Sequence, residues 1–86
     1  MGDIGLMDKI KNKVMFVDMI SIKDFVKDMN EFPNDVNIYC GHKIFDAKSI
    51  VGMMNFQLGK VYEVEIVSNN YDIQCRFAKV VSKYRG

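Results

Sequence analysis

The sequence predicts an α+β fold in which three helices pack on one face of a four-stranded, mainly antiparallel sheet. Its composition is that of a globular protein, because 49% of the 86 residues are apolar and 27% are charged. Segments in which apolar and polar residues alternate are interleaved with segments in which apolar residues recur at helical spacing. Their order is strand, helix, strand, strand, helix, strand, helix. We expect one domain over residues 1–86, with residues 1–11 forming a short helix or a flexible arm.

The first strand is predicted at residues 12–18, where NKVMFVD is rich in β-branched and aromatic residues. In the segment that follows, Ser21 and Asp24 have the spacing of a capping box, so Ser21 is expected to begin the first helix. This helix carries its apolar residues on one face. We expect it to end near Glu31, because Pro33 disfavours helical geometry at the residue before it.

A β-hairpin is predicted next, since DVNIYC alternates, residues 41–42 supply a Gly-His turn and KIFD forms the returning strand. A short second helix is expected over residues 49–56. The fourth strand covers residues 61–67, in which apolar residues alternate with two glutamates. A terminal amphipathic helix covers residues 71–84. All seven predicted elements are thus accounted for.

Charge and hydropathy argue against several classes of partner. The formal net charge is +1, and the lysines within residues 9–13 have Asp3 and Asp8 close by, so we expect no nucleic-acid-binding surface. No apolar run approaches the roughly 18 residues of a membrane span, and we expect no signal peptide. We therefore predict a cytoplasmic protein that does not enter the membrane. In that compartment Cys40 and Cys75 are expected to be reduced, small apolar residues.

No set of residues predicts catalysis. His42 is the only histidine and lies at the predicted hairpin tip, where a general base has neither an orienting partner nor a sheltered pocket. Asp18 and Asp46 are single carboxylates beside strand ends and are expected to be solvated. No Cys/His or carboxylate set has metal-ligand spacing, and there is no glycine-rich phosphate loop. We therefore expect a protein that is not an enzyme and binds no metal or cofactor.

Ser49 and the apolar residues after it form the main candidate site. If Ser49 begins a helix, its hydroxyl lies where unsatisfied backbone N–H groups converge. It is then either a plain N-cap, worth about 1 kcal/mol, or a phosphorylation site whose phosphate would accept those N–H groups. Met53 is expected to point inward. Ile50, Val51 and Met54 are expected at the rim or surface, where they would complete the core or bind a partner.

The segment DAKSIVGMMNFQLGKVYEVEI, residues 46–66, resembles the regulatory-serine segment of HPr, the histidine-containing phosphocarrier family of the bacterial sugar phosphotransferase system. Upstream, FVKDMNEFPNDVNIYCGHKIFDA is similar to the first helix and hairpin of that family. The resemblance covers residues 14–84. It implies an open-faced β-sandwich in which four antiparallel strands lie under three helices in the order βαββαβα.

The resemblance also implies roles for the candidate site. Ser49 matches the serine that an ATP-dependent HPr kinase phosphorylates in low-GC Gram-positive bacteria. Ile50, Val51 and Met54 match the hydrophobic patch with which HPr meets its enzymes and a transcriptional regulator. Lys48, beside them, is also expected at the partner interface. The expected partners are therefore proteins: HPr kinase, such a regulator or components of the phosphotransferase system.

The sequence departs from the family pattern at the phosphocarrier histidine, which HPr carries just before its first helix. Counting back from Ser49, that histidine falls on Asp18, its arginine on Ile20 and its proline on Ser21. We therefore expect a regulatory or adaptor protein related to the phosphotransferase system, phosphorylated on Ser49 and without histidine carrier activity. One alternative is a phosphotransfer protein that uses another acceptor such as Asp18. Another is a protein-interaction domain without phosphorylation.

Overall fold

The computed structural model of the protein describes residues 11–84, in which seven elements follow the predicted order βαββαβα. The strands are β1 (Asn12–Met15), β2 (Val36–Cys40), β3 (Lys43–Asp46) and β4 (Val61–Ile66). The helices are α1 (Met19–Met29), α2 (Ile50–Met53) and α3 (Tyr71–Val81), and a 3₁₀ turn (Ser82–Tyr84) follows α3. The expectation of a helix or arm at residues 1–11 lies, except for Lys11, outside the described residues.

The four strands form one antiparallel sheet in the order β1-β4-β2-β3. β4 lies between β1 and β2, so that Val64 is opposite both Asn12 and Ile38. β2 and β3 form the predicted hairpin around residues 41–42, with Ile38 opposite Phe45. Because side chains alternate along each strand, this register brings the buried residues of neighbouring strands to the same face of the sheet.

The three helices cover that buried face, and helices and sheet share one hydrophobic core. Aromatic rings join its parts: Phe16 on the chain leaving β1 packs edge-on against Phe25 of α1 at 5.1 Å, and Phe25 packs against Tyr84 at 5.2 Å. The other face of the sheet carries Lys13 and Glu63, which are exposed. This is the predicted open-faced arrangement. The fully buried large side chains are Phe16, Phe25, Phe77, Ile22, Met29, Ile38, Met53, Ile66, Val14, Val36, Val64 and Val81.

The start of α1 differs from the prediction. Asp18, not Ser21, is the N-cap, and Asp18 Oδ1 accepts the Ser21 N–H at 2.8 Å. In return, Ser21 Oγ accepts the Asp18 N–H at 3.3 Å, which completes a capping box of this pair. The predicted box of Ser21 with Asp24 is therefore wrong, because the helix begins almost one turn earlier. For the same reason β1 ends at Met15, and residues 16–18 lead into the helix.

Three further boundaries differ by a few residues. α1 ends at Met29, where the prediction placed its end near Glu31. α2 ends at Met53, before the predicted limit at residue 56, and Phe56 N–H donates to the Met53 carbonyl in a turn after it. The last three residues of the predicted terminal helix are a 3₁₀ turn. Helix ends tighten or fray in this way where the last carbonyls lack helical partners.

Candidate functional site

Ser49 lies immediately before α2, as predicted, and its backbone is extended at φ −100° and ψ 112°. Its Oγ accepts the Gly52 N–H at 3.4 Å. This distance is at the long end for a hydrogen bond, so the cap is weak. The side chain is half-buried. Ser49 is therefore partly accessible, and its hydroxyl is only loosely held by its own helix.

The turn that presents Ser49 is fixed by the end of the hairpin. Asp46 Oδ1 accepts the Lys48 N–H at 2.9 Å, and the Asp46 carbonyl accepts the Ser49 N–H at 3.1 Å. Between them the buried Ala47 donates its N–H to the Val36 carbonyl at 2.9 Å. Asp46 was expected to be a solvated carboxylate; it is exposed, but it also shapes this turn. The backbone before Ser49 is thus ordered by β2 and β3.

Helix α1 holds the same turn from the other side. Asn30 Nδ2 donates to the Val26 carbonyl at 2.8 Å and to the Lys48 carbonyl at 3.1 Å. Lys48 Nζ donates to the Phe32 carbonyl at 2.6 Å, just beyond the end of α1. The ammonium group predicted to face a partner therefore has a partner within the molecule, and the interface role of Lys48 stays a prediction. The contribution of Asn30 was not predicted, since it depends on a contact 18 positions away.

Next to Ser49, three apolar side chains of α2 and its C-cap are exposed, and we call them the α2 patch: Ile50, Val51 and Met54. Their exposed fractions are 38%, 77% and 51%, whereas Met53 between them is fully buried. The predicted inward position of Met53 is therefore confirmed. A single helical turn on a sheet buries one side, and Ile50 and Met54, four positions apart, share a face away from the core. The role of the patch in binding stays a prediction.

The structure adds exposed apolar residues that the sequence reasoning missed. Val17, Met19 and Ile20 are exposed at the start of α1, and Leu58 is exposed after α2. The two regions are joined, because α1 contacts α2. In addition, the Gly59 N–H donates to the Phe16 carbonyl, next to Val17, at 2.7 Å. No local pattern in the sequence marked the residues at the start of α1 as exposed, because their exposure depends on α1 beginning at Met19 and not at Ser21.

Asp18, on which the carrier histidine of the resemblance falls, is exposed, but its carboxylate is engaged. Oδ1 accepts the Ser21 N–H, and the Ser21 hydroxyl donates to the Asp18 carbonyl at 2.7 Å. Two positions on, Ile20 presents an exposed apolar side chain. Asp18 therefore acts in the structure as the cap of an eleven-residue helix.

The remaining candidates lie apart from this region. His42 is exposed in the turn between β2 and β3, and Cys40 and Cys75 are free, half-buried thiols. Among residues 11–84 no group of three His, Cys, Asp or Glu side chains could hold a metal ion. In the same range, no helix combines the length and the apolar character that crossing a membrane requires.

A family model for the "PTS HPr component phosphorylation site" matches residues 21–83, which is most of the chain. The chain belongs to the HPr family. The expected family is therefore confirmed. HPr is the phosphocarrier of the phosphotransferase system, and proteins of this family interact with other proteins of that system. The match begins after Asp18, so it leaves the carrier position untested.

Three solved structures share the fold. HPr-C-His from Thermoanaerobacter tengcongensis has a TM-score of 0.66 at 15% identity, with 86% of this chain and 90% of that chain covered. HPr from Bacillus anthracis str. Ames has a TM-score of 0.65 at 18% identity, with 87% and 95% covered. The histidine-containing phosphocarrier protein of a mycoplasma has a TM-score of 0.62 at 18% identity, with 84% and 90% covered. No curated protein sequence matches significantly. The structural likeness confirms the predicted fold.

Proposed function

We propose that the protein is a regulatory or adaptor member of the HPr family, phosphorylated on Ser49 and without histidine carrier activity. One observation carries this proposal: the loosely held hydroxyl of Ser49 adjoins the exposed α2 patch. A phosphate on Ser49 would place about two negative charges beside side chains that a partner must cover. Phosphorylation would therefore alter partner binding through local charge and desolvation.

The fold can accept this modification at small cost. The only side-chain hydrogen bond of the Ser49 hydroxyl described for residues 11–84 is the 3.4 Å contact with the Gly52 N–H. A phosphate oxygen could accept the same N–H. The turn before Ser49 is held by backbone groups, by Asp46 and by Asn30, none of which uses the hydroxyl. The modified serine would thus change the surface and leave the packing intact.

The geometry at Asp18 favours the adaptor over phosphotransfer through that carboxylate. An acyl phosphate on Asp18 would compete with the Oδ1 contact to the Ser21 N–H, a cap worth about 1 kcal/mol. At the position where the resemblance expects an arginine, Ile20 offers no charge to hold a phosphoryl group. Asp18 is therefore better suited to capping α1 than to carrying phosphate.

The proposed binding surface combines the α2 patch with the exposed apolar residues at the start of α1. Its expected partners are an HPr kinase, a transcriptional regulator or other components of the phosphotransferase system. Exposed methionine and branched aliphatic side chains adapt to more than one partner surface. Such a surface suits an adaptor that recognises several proteins.

The proposal is tested by two parallel reactions read by intact mass. One contains ATP and HPr kinase, and the other contains phosphoenolpyruvate and Enzyme I. We expect one phosphate from the kinase reaction, absent in Ser49→Ala and retained in the control Ser82→Ala, whose hydroxyl donates to the Lys79 carbonyl elsewhere on the molecule. An acid-labile or hydroxylamine-sensitive phosphate from the second reaction would overturn the proposal in favour of phosphotransfer. No phosphate in either would favour the interaction domain without phosphorylation.

The α2 patch is tested by a charge placed within it. Val51→Asp should slow phosphorylation by HPr kinase about tenfold, because a carboxylate would have to be desolvated against the enzyme. Ile44→Asp is the matched control, since Ile44 is 58% exposed on β3, in the hairpin outside the patch. Equal effects of the two variants would show that the patch is not the contact surface.

A further inference from the structure

The methionines of the described region differ sharply in exposure. Met54 is 51% exposed in the α2 patch and Met19 is 38% exposed at the start of α1, whereas Met29 and Met53 are fully buried. Met53 and Met54 are neighbours in the chain, so they share the same local sequence and differ mainly in accessibility. Accessible thioethers react with peroxides, and thioethers packed in a core are shielded.

We propose that Met54 is a site of reversible oxidation by peroxides, and that its sulfoxide converts the α2 patch from an apolar to a polar surface. The thioether sulfur attacks one peroxide oxygen, an S–O bond forms and the O–O bond breaks. The sulfur is oxidised by two electrons, and hydrogen peroxide is reduced to one molecule of water. A methionine sulfoxide reductase would reverse the change at the expense of thiols.

The position of Met54 gives its oxidation a large effect on the surface and a small one on the fold. The α2 patch contains only three side chains, all of them apolar, so a single sulfoxide oxygen changes much of its surface from apolar to polar. That oxygen is a strong hydrogen-bond acceptor, and a partner covering it would have to desolvate it. Met53, the neighbouring residue that packs in the core, is fully buried, so its sulfur is shielded from peroxide and the core packing is unchanged. The consequence for partner binding rests on the proposed function; the site of oxidation does not.

The site is tested by peptide mapping after brief treatment of the folded protein with hydrogen peroxide. Cleavage after Lys48 and Lys60 releases SIVGMMNFQLGK, which contains both sulfurs, and fragment masses locate the added oxygen. We expect Met54 to react about tenfold faster than Met53 in the folded protein and at a similar rate in urea. Equal rates for the two residues in the folded protein would overturn the proposal.

The change in polarity is tested on a phenyl matrix, which serves as an apolar probe independent of any partner. Oxidised wild type should be retained less than reduced wild type, and treatment with methionine sulfoxide reductases should restore the retention. Met54→Leu should lose most of this shift, whereas Met19→Leu should keep it. The opposite pattern, with the shift lost only in Met19→Leu, would assign the effect to α1 and overturn the proposal for Met54.

The consequence for binding is measured as the rate of Ser49 phosphorylation by HPr kinase. We expect oxidation to slow this rate about tenfold in wild type and much less in Met54→Leu. An unchanged rate in oxidised wild type, with Met54 oxidised, would refute the effect on binding. If the kinase phosphorylates neither wild type nor Met54→Leu before oxidation, the proposed function fails. The mapping and retention experiments still decide the site of oxidation in that case.

Discussion

Asp18 is the N-cap of α1, although the spacing of residues in the sequence predicts Ser21 in that role. Both Asp18 and Ser21 are residue types that favour helix N-caps, and Ser21 has Asp24 three positions later, so local spacing favours Ser21. In the structure Met19 and Ile20 form the first turn of α1, and Ser21 becomes the reciprocal member of the box. The choice was decided by where the chain leaves β1, which no local pattern encodes.

Replacing Asp18, the observed cap, should therefore lower the free energy of unfolding more than replacing Asp24, which belongs to the capping box predicted from spacing. Asp18→Ala should lower the free energy of unfolding by about 1 kcal/mol, because the Ser21 N–H loses its acceptor. Asp24→Ala should change it by less than about 0.5 kcal/mol, as expected for an exposed surface residue. Urea denaturation of the two variants beside wild type measures both values. A larger cost for Asp24→Ala would contradict the observed cap.

At the scale of elements, α2 and the loop after it are organised around two glycines with different requirements. Gly52 lies within α2, and a Cβ there would meet Ser49 Oγ at 3.8 Å, an ordinary van der Waals contact. Gly59 has a positive φ of 78°, and its N–H donates to the Phe16 carbonyl. Only Gly59 needs the conformational freedom of glycine. The loop that joins α2 to β4 depends on it.

The two glycines should respond oppositely to alanine. Gly52→Ala should raise the free energy of unfolding by roughly 0.5–1 kcal/mol, because it reduces the entropy of the unfolded chain and favours helix. Gly59→Ala should lower it by roughly 1–2 kcal/mol, since alanine is strained at positive φ. Thermal and urea unfolding measure both changes. A stabilising Gly59→Ala would be inconsistent with the loop geometry.

At the scale of the whole molecule, Tyr84 fastens the C-terminal turn to α1. Its hydroxyl donates to Asp28 Oδ2 at 2.5 Å, and Lys83 Nζ lies 2.9 Å from the same oxygen. The contact joins residues 56 positions apart. Burial raises the pKa of Asp28, but the hydrogen bonds from Tyr84 and Lys83 outweigh it and leave this pKa below its ordinary value of 3.8. Burial, and then the bond to Asp28, raises the pKa of the Tyr84 hydroxyl.

This contact should make stability depend on acid pH. Because the pKa of Asp28 is lower in the folded state, its contribution is complete above the ordinary value and is lost as pH falls through the folded-state pKa. We expect Asp28→Asn to lower the free energy of unfolding by about 1 kcal/mol at pH 7 and by progressively less below about pH 4.

Urea titrations at pH 7, 4 and 2.5 would measure this dependence, with the exposed Glu31→Gln as the control for loss of a carboxylate. A difference between wild type and Asp28→Asn that stays constant over the three values would show that the carboxylate is not stabilised by Tyr84 and Lys83. The contact would also be contradicted if the free energy of unfolding of Tyr84→Phe equalled that of wild type at all three pH values.

The candidate site was predictable to the extent that it depends on adjacent residues. The position of Ser49 before a short helix and the inward direction of Met53 follow from local pattern, and both are observed. The tie from Asn30 to Lys48 was not predictable, because its two partners belong to different elements. The exposure of Ile20 was not predictable for a related reason, because it depends on where α1 begins. The residue types alone do not predict contacts between different elements.

The sequence by itself determined the kinds of element, their order and the side of each that is apolar, because strand alternation and helical spacing are properties of neighbouring residues. Only the tertiary structure decided the strand order β1-β4-β2-β3 and the use of Asp18 as the cap of α1. It also decided that the α2 patch stays exposed beside Ser49. These features arise from contacts between residues distant in the chain, in which packing against the whole core outweighs local preference.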